Sequence, residues 1–121
     1  MGSRFTELVI DCADPARVAE FWARVLDYEV IDRGPKGEVE IGGRISGAPT
    51  LVFVPVPEAK TLKNRVHIDV NPTGADQKAE LERLLALGAR RVDVGQTSEV
   101  SWVVLADPEG NEFCLLRRQL E

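Results

Sequence analysis

Histidine is almost missing from this chain: His67 is the only one in 121 residues. One imidazole cannot supply the two histidines that, with a carboxylate, hold iron in facial-triad oxygenases. That chemistry is excluded unless a second chain donates the other. Cysteine is scarce as well. Cys12 and Cys114 stand far apart with no Cys-x-x-Cys spacing, so neither a disulfide framework nor a zinc ribbon is expected. No excess of positive charge exists, because 15 Lys and Arg are outnumbered by 20 Asp and Glu, giving a net charge of −5. With both signs mixed along the chain, there is no basic patch for nucleic acid or an anionic membrane. No apolar run approaches the ~20 residues that span a bilayer, and Met1-Gly2-Ser3-Arg4 does not read as a signal peptide. A cytoplasmic chain with reduced thiols is therefore expected.

What is present suits one small domain, since 44% hydrophobic residues can supply a core. Phe5–Cys12 reads as a strand, rich in β-branched and apolar residues. Asp14-Pro15 then marks a helix start, with Asp as cap and Pro in the first turn. Val18, Phe21, Trp22, Val25 and Leu26 follow at helical spacing and form one apolar stripe. Three extended segments come next, Tyr28–Arg33, Glu38–Ile41 and Thr50–Val56, separated by glycine-rich turns. The second half repeats the order. Arg65–Asn71 is a strand, Thr73 is a plausible cap, and Leu81, Leu84, Leu85 and Leu87 line a helix stopped by Gly88. Arg90–Val94, Val100–Ala106 and Glu112–Arg117 supply three more strands, the last two joined by the turn Asp107-Pro108-Glu109-Gly110-Asn111. The expectation is an α+β single domain, residues 1–121, of two βαβββ modules (about 1–60 and 61–121). They would form a curved mixed sheet with its helices on the outer face.

Side chains alternate across a strand, and the fifth strand separates sharply. Val66, Ile68 and Val70 make one apolar face; Arg65, His67, Asp69 and Asn71 make a polar one. If Asp107–Asn111 closes the last hairpin, Val104 lies opposite Cys114 and Ala106 opposite Glu112. Trp102, Val104, Cys114 and Glu112 then share a face, and Phe113 and Leu115 turn to the helix side. A slip of one residue would invert this set. A curved face that mixes polar and aromatic side chains suits a small-molecule pocket.

Three segments carry a resemblance to a known family: Leu8–Leu26, Lys63–Val70 and Asp107–Cys114. In this order and spacing the chain resembles the vicinal-oxygen-chelate superfamily (glyoxalase, bleomycin resistance, dioxygenase), in its glyoxalase-like subgroup. One departure is Asp27, where the family usually places glycine after the helix. The resemblance implies four chelating positions on the concave face, occupied here by Glu7, Phe53, His67 and Cys114. Glu7 and His67 are competent ligands, Phe53 is not, and Cys114 ligates only as a thiolate.

The implied function is a glyoxalase-like protein that binds a small molecule through an incomplete chelating site and sequesters a drug-like compound or secondary metabolite. No cofactor is then required. Phe53, Asp69, Trp102 and Cys114 are the candidate ligand-binding residues. The alternative is a glyoxalase-type lyase or isomerase with Glu7 and His67 as catalytic residues, with or without a divalent metal. In that case Glu7, His67 and Cys114 would hold zinc or nickel. A carboxylate beside one imidazole can form an acid/base pair, or equally a structural charge network. Family members commonly dimerise, so a homodimer is also expected. Lys60, Lys63 and Arg65 are either solvated linker residues or a rim for an acidic ligand.

Overall fold

Each strand of the fold owes its position to the alternation just described, and each helix to its caps. The structure is a computed structural model describing residues 1–97 and 99–121. Contacts divide the chain into two units, Met1–Ala59 and Lys60–Glu121. The fold is α+β, and the described residues form two helices and two four-stranded mixed sheets.

In the first unit β1 (Glu7–Cys12), α1 (Pro15–Leu26), β2 (Glu29–Arg33), β3 (Val39–Gly42) and β4 (Thr50–Pro55) follow in turn, and the sheet order is β1-β4-β3-β2. β1 runs parallel to β4, with Leu8 opposite Leu51 and Ile10 opposite Phe53. The other pairings are antiparallel, and Val39 and Ile41 face Phe53 and Leu51 across the ladder. These apolar residues occupy one side of the sheet, and α1 lies against β3 and β4. Val18, Ala19, Phe21, Trp22 and Val25 of α1 are buried, with the Phe21 and Trp22 rings edge to face at 5.5 Å. The start of α1 is as its residues suggest: Asp14 accepts a hydrogen bond from the Arg17 amide at 3.3 Å, and Pro15 stands at the first position. The helix ends at Asp27 in a left-handed conformation, φ 56°. Glycine would hold this position without the steric cost of a Cβ.

The second unit repeats the pattern with β5 (Ile68–Val70), α2 (Gln77–Leu87), β6 (Arg90–Arg91), β7 (Val103–Ala106) and β8 (Glu112–Leu115), in the sheet order β5-β8-β7-β6. Again the first and last strands are parallel and the rest antiparallel. The hairpin register is the expected one, Val104 opposite Cys114 and Ala106 opposite Glu112. Its turn is held by Asp107, a buried carboxylate that accepts from the amides of Glu109 and Asn111, both at 2.9 Å.

Several boundaries differ from the sequence expectation. Asp76, not Thr73, caps α2; its carboxylate accepts from the Ala79 amide at 2.9 Å, while Thr73 bridges to Leu120. β5 keeps only three residues, because Arg65, Val66 and His67 precede its pairing with β8. β6 is two residues long, and Val92–Thr97 leaves the sheet after one more bond, from the Val92 amide to the Val104 carbonyl. Among the described residues no helix is long and apolar enough to cross a membrane.

Candidate ligand-binding site

The second sheet has one apolar and one polar side, and the polar side carries a cavity. Ile68 and Val70 lie opposite Phe113 and Leu115, and the latter two are buried in the core. The intervening Asp69 must point the other way, as must its partner Cys114. His67, one step before the strand, shares that side. The resulting cavity has a volume of about 500 Å³. Its floor and polar wall consist of His67, Asp69, Cys114 and Glu112, with Lys63 and Asn64 beside them. Its apolar wall is Val94, Trp102, Val104 and Leu116, with Gln96 at the side.

The polar groups are mutually engaged. His67 Nε2 lies 3.2 Å from Asp69 Oδ1, both side chains about half exposed. Asp69 also takes a hydrogen bond from the Cys114 thiol. Burial pushes this thiol above its ordinary pKa, and the Asp69 charge and hydrogen bond add to the effect, while the Lys63 ammonium opposes it. At neutral pH Cys114 is therefore a thiol and a poor nucleophile. Replacing Asp69 by asparagine removes the repelling charge. Iodoacetamide labelling of Cys114 at pH 8 is expected to accelerate by about 3- to 10-fold, since each pKa unit is a tenfold change in thiolate. Labelling of the Cys114→Ala variant supplies the background from Cys12.

Glu112 behaves in the opposite way. Burial acts to raise its pKa, but hydrogen bonds from the Asn64 amide, the Lys60 ammonium and its own amide, with the Lys60 charge, lower it overall. Lys60 Nζ stands 3.0 Å from Glu112 Oε1, and the Asn64 amide donates to the same oxygen at 3.0 Å. The Asn64 side chain donates to Asn111 Oδ1 at 3.1 Å, and Asn111 in turn donates to Asp107. The cavity wall at residues 60–64 is thus bound to the β7–β8 hairpin by a continuous polar network.

The expected site residues separate into three groups. His67, Asp69, Trp102 and Cys114 come together around the cavity. Glu7 lies at the start of β1 in the first unit and is exposed. Phe53 was expected on the concave face and is not there. It is fully buried, at 0% exposure, on the side of β4 that carries Leu51 and faces α1. The open side of β4 presents Thr50, Val52 and Val54 instead. Register explains the difference: Ile10 opposite Phe53 is the counterpart of Ile68 opposite Phe113. By the same rule the partner of Cys114 in the repeat is Val54, paired with Asp11. Lys63, offered by the sequence as a rim for an acidic ligand, and Glu112, placed by alternation on the face of Cys114, both line the cavity, while Asn64, Gln96 and Leu116 join them without having been singled out. Leu116 follows from carrying the same Cys114 alternation one step further. Nothing local in the sequence marks Gln96 as a cavity residue.

A divalent ion is implied by the resemblance, and the polar wall holds a set of donors for one. His67, Asp69 and Cys114 each offer a ligand atom, all within 4.8 Å of one another. Imidazole, carboxylate and thiolate are all zinc ligands, so these three residues fit such an ion, with Asp69 standing where Glu7 was expected. Binding would require Cys114 to release its proton.

The comparisons with known proteins agree with the architecture. Residues 7–116 match the family model described as a glyoxalase-like domain. No match is found among curated proteins. Solved structures with the same fold include a glyoxalase/bleomycin resistance protein/dioxygenase family enzyme from Burkholderia phytofirmans. It is 18% identical, with 93% of this chain and 97% of that chain covered, at TM-score 0.65. The fosfomycin resistance protein FosX from Mesorhizobium loti is 16% identical over 99% of this chain and 95% of its own, TM-score 0.71. A FosX variant from Listeria monocytogenes, complexed with Mn(II) and 1S,2S-dihydroxypropylphosphonic acid, is 16% identical over 96% and 90%, TM-score 0.70. The chain belongs to the glyoxalase-like domain family.

Proposed function

We propose that this chain binds and sequesters a small organic molecule in the cavity of its second unit, and that it needs no metal to do so. The observation that carries the proposal is the cavity itself, about 500 Å³ with one aromatic-aliphatic wall and one polar wall. Small-molecule sites have this size and this mixture. The FosX structure solved with a phosphonic acid supports a small-molecule ligand for the fold. The test is a thermal-shift screen of aromatic metabolites and antibiotics on EDTA-treated protein, since a ligand that binds the native state raises its stability by mass action. Trp102→Ala should weaken a true cavity ligand by about tenfold. A screen in which no compound shifts the melting temperature would reject the proposal.

The cluster of His67, Asp69 and Cys114 favours a second reading, a glyoxalase-type lyase or isomerase with zinc or nickel on those side chains. When bound, the ion would polarise a substrate oxygen. With His67, Asp69 and Cys114 as its ligands, the second oxygen of the Asp69 carboxylate would be the group left to take a proton from the substrate. Elemental analysis of protein purified without chelator decides between the two. Stoichiometric metal that is lost in both His67→Ala and Asp69→Ala would replace the metal-independent proposal. Glu7→Ala tests the remaining candidate: unchanged metal content would leave it outside the site.

A further inference from the structure

We propose that the ligand is a planar aromatic or conjugated carboxylic acid, with its carboxylate on the Lys63 ammonium and its ring on the Trp102 indole. This rests on the small-molecule proposal and narrows it to a chemical class. The charges around the cavity lead to it. Asp69 is engaged by the His67 imidazole and the Cys114 thiol, and Glu112 by Lys60 and Asn64. Among the described residues Lys63 is the charged side chain of the lining with neither a hydrogen-bond nor an ion-pair partner. It lines the cavity together with His67, Asp69 and Cys114.

Each alternative ligand meets a cost. An ammonium would have to share Asp69 with its present donors while facing the Lys63 charge. A neutral ring would gain nothing from Lys63, whose exposed ammonium would stay in water. A phosphonate dianion calls for several cations or an arginine fork, and among the described residues no arginine lines the cavity. One carboxylate matches one lysine. The rest of the ligand is defined by Trp102, which is 42% exposed at the cavity although it is one of the largest apolar side chains of the chain. With Val94, Val104 and Leu116 it forms an open apolar wall. Stacking a flat ring there buries the indole and uses the preferred offset geometry of aromatic pairs. The cavity volume accommodates a fused two-ring system.

The test uses three matched probes, 2-naphthoate, 2-naphthamide and 2-naphthylmethylammonium, with affinities measured by calorimetry at low ionic strength. On the native protein the carboxylate should bind about five- to tenfold more tightly than the amide, and the ammonium most weakly. Lys63→Gln should bring carboxylate and amide within about twofold of each other. Lys63→Glu should invert the order in favour of the ammonium, and Trp102→Leu should weaken all three. Lys63 is exposed, so its variants should fold, which their melting curves verify. If amide and carboxylate bind native protein equally, or the ammonium binds best, the acid inference is overturned while small-molecule binding stands. If none of the three binds, the inference is again overturned, and the separate metabolite screen decides the broader proposal.

Discussion

Truncating Phe53 to alanine is expected to lower the unfolding free energy by about 3–5 kcal/mol while leaving the affinity of a cavity ligand unchanged. The ring is fully buried between Ile10 and Val39 on neighbouring strands, on the α1 side of the sheet. Removing it forfeits its transfer free energy and leaves a void that a parallel-antiparallel ladder cannot close without moving both neighbours. Domains of this size have about 5–15 kcal/mol in total, so the variant should remain foldable in the cold but lose much of its urea resistance. Urea titration at 10 °C measures the first effect, and ligand calorimetry on the folded variant measures the second. A large loss of affinity with little loss of stability would return Phe53 to the binding surface. Phe53→Leu, which keeps most of the volume, should recover more than half of the lost stability.

The second large effect belongs to Glu112. Glu112→Gln should cost about 2–3 kcal/mol at pH 7, because it leaves the Lys60 ammonium without its counter-charge in a mostly enclosed place. The two side chains are 20% and 12% exposed, so solvent screens the pair only in part. The pH dependence follows from the direction of the shift. The folded-state pKa of Glu112 lies below its unfolded value, so on acidification the unfolded chain takes up this proton first. The contribution is therefore fully present above the unfolded value, about pH 5 and higher. It declines as pH falls through the folded value. The stability gap between native protein and Glu112→Gln, taken from urea titrations at pH 7 and at pH 3.5, should be flat at neutral pH and shrink in acid. A gap that grew on acidification would contradict the assigned direction. A double-mutant cycle with Lys60→Met isolates the pair from the separate loss of the Asn64 amide bond.

The architecture was largely legible in the residues. The stripe Val18, Phe21, Trp22, Val25 and the Asp14-Pro15 start describe α1 with few alternatives, and the Asp107–Asn111 turn determined the β7–β8 register. Period-two alternation was enough to put His67, Asp69 and Cys114 on one side. It was not enough for Phe53. β4 is apolar almost throughout, Leu51-Val52-Phe53-Val54, so its pattern cannot distinguish the two faces. Family position assigned Phe53 to the concave face, and pairing with Ile10 assigns it to the core. Thr73 and Asp76 are both good caps, and local sequence does not decide between them. Gln96 and Lys63 reach the cavity from segments outside the strands, where no periodicity informs the direction of a side chain. Lys60 and Glu112 are 52 residues apart, a distance at which a charge pair leaves no mark on composition.

The attachment of residues 60–64 to the hairpin has a consequence for length variation. Lys60, Glu112, Asn64, Asn111 and Asp107 form a chain of bonds whose spacing is set residue by residue. An insertion of even one residue between Lys60 and Asn64 would place Lys63 out of phase with the cavity and break two anchors. Insertions at Pro57–Ala59, just before the anchored stretch, carry no such penalty. Relatives that bind the same compound should therefore vary in length before position 60 and be invariant in length from there to the start of β5.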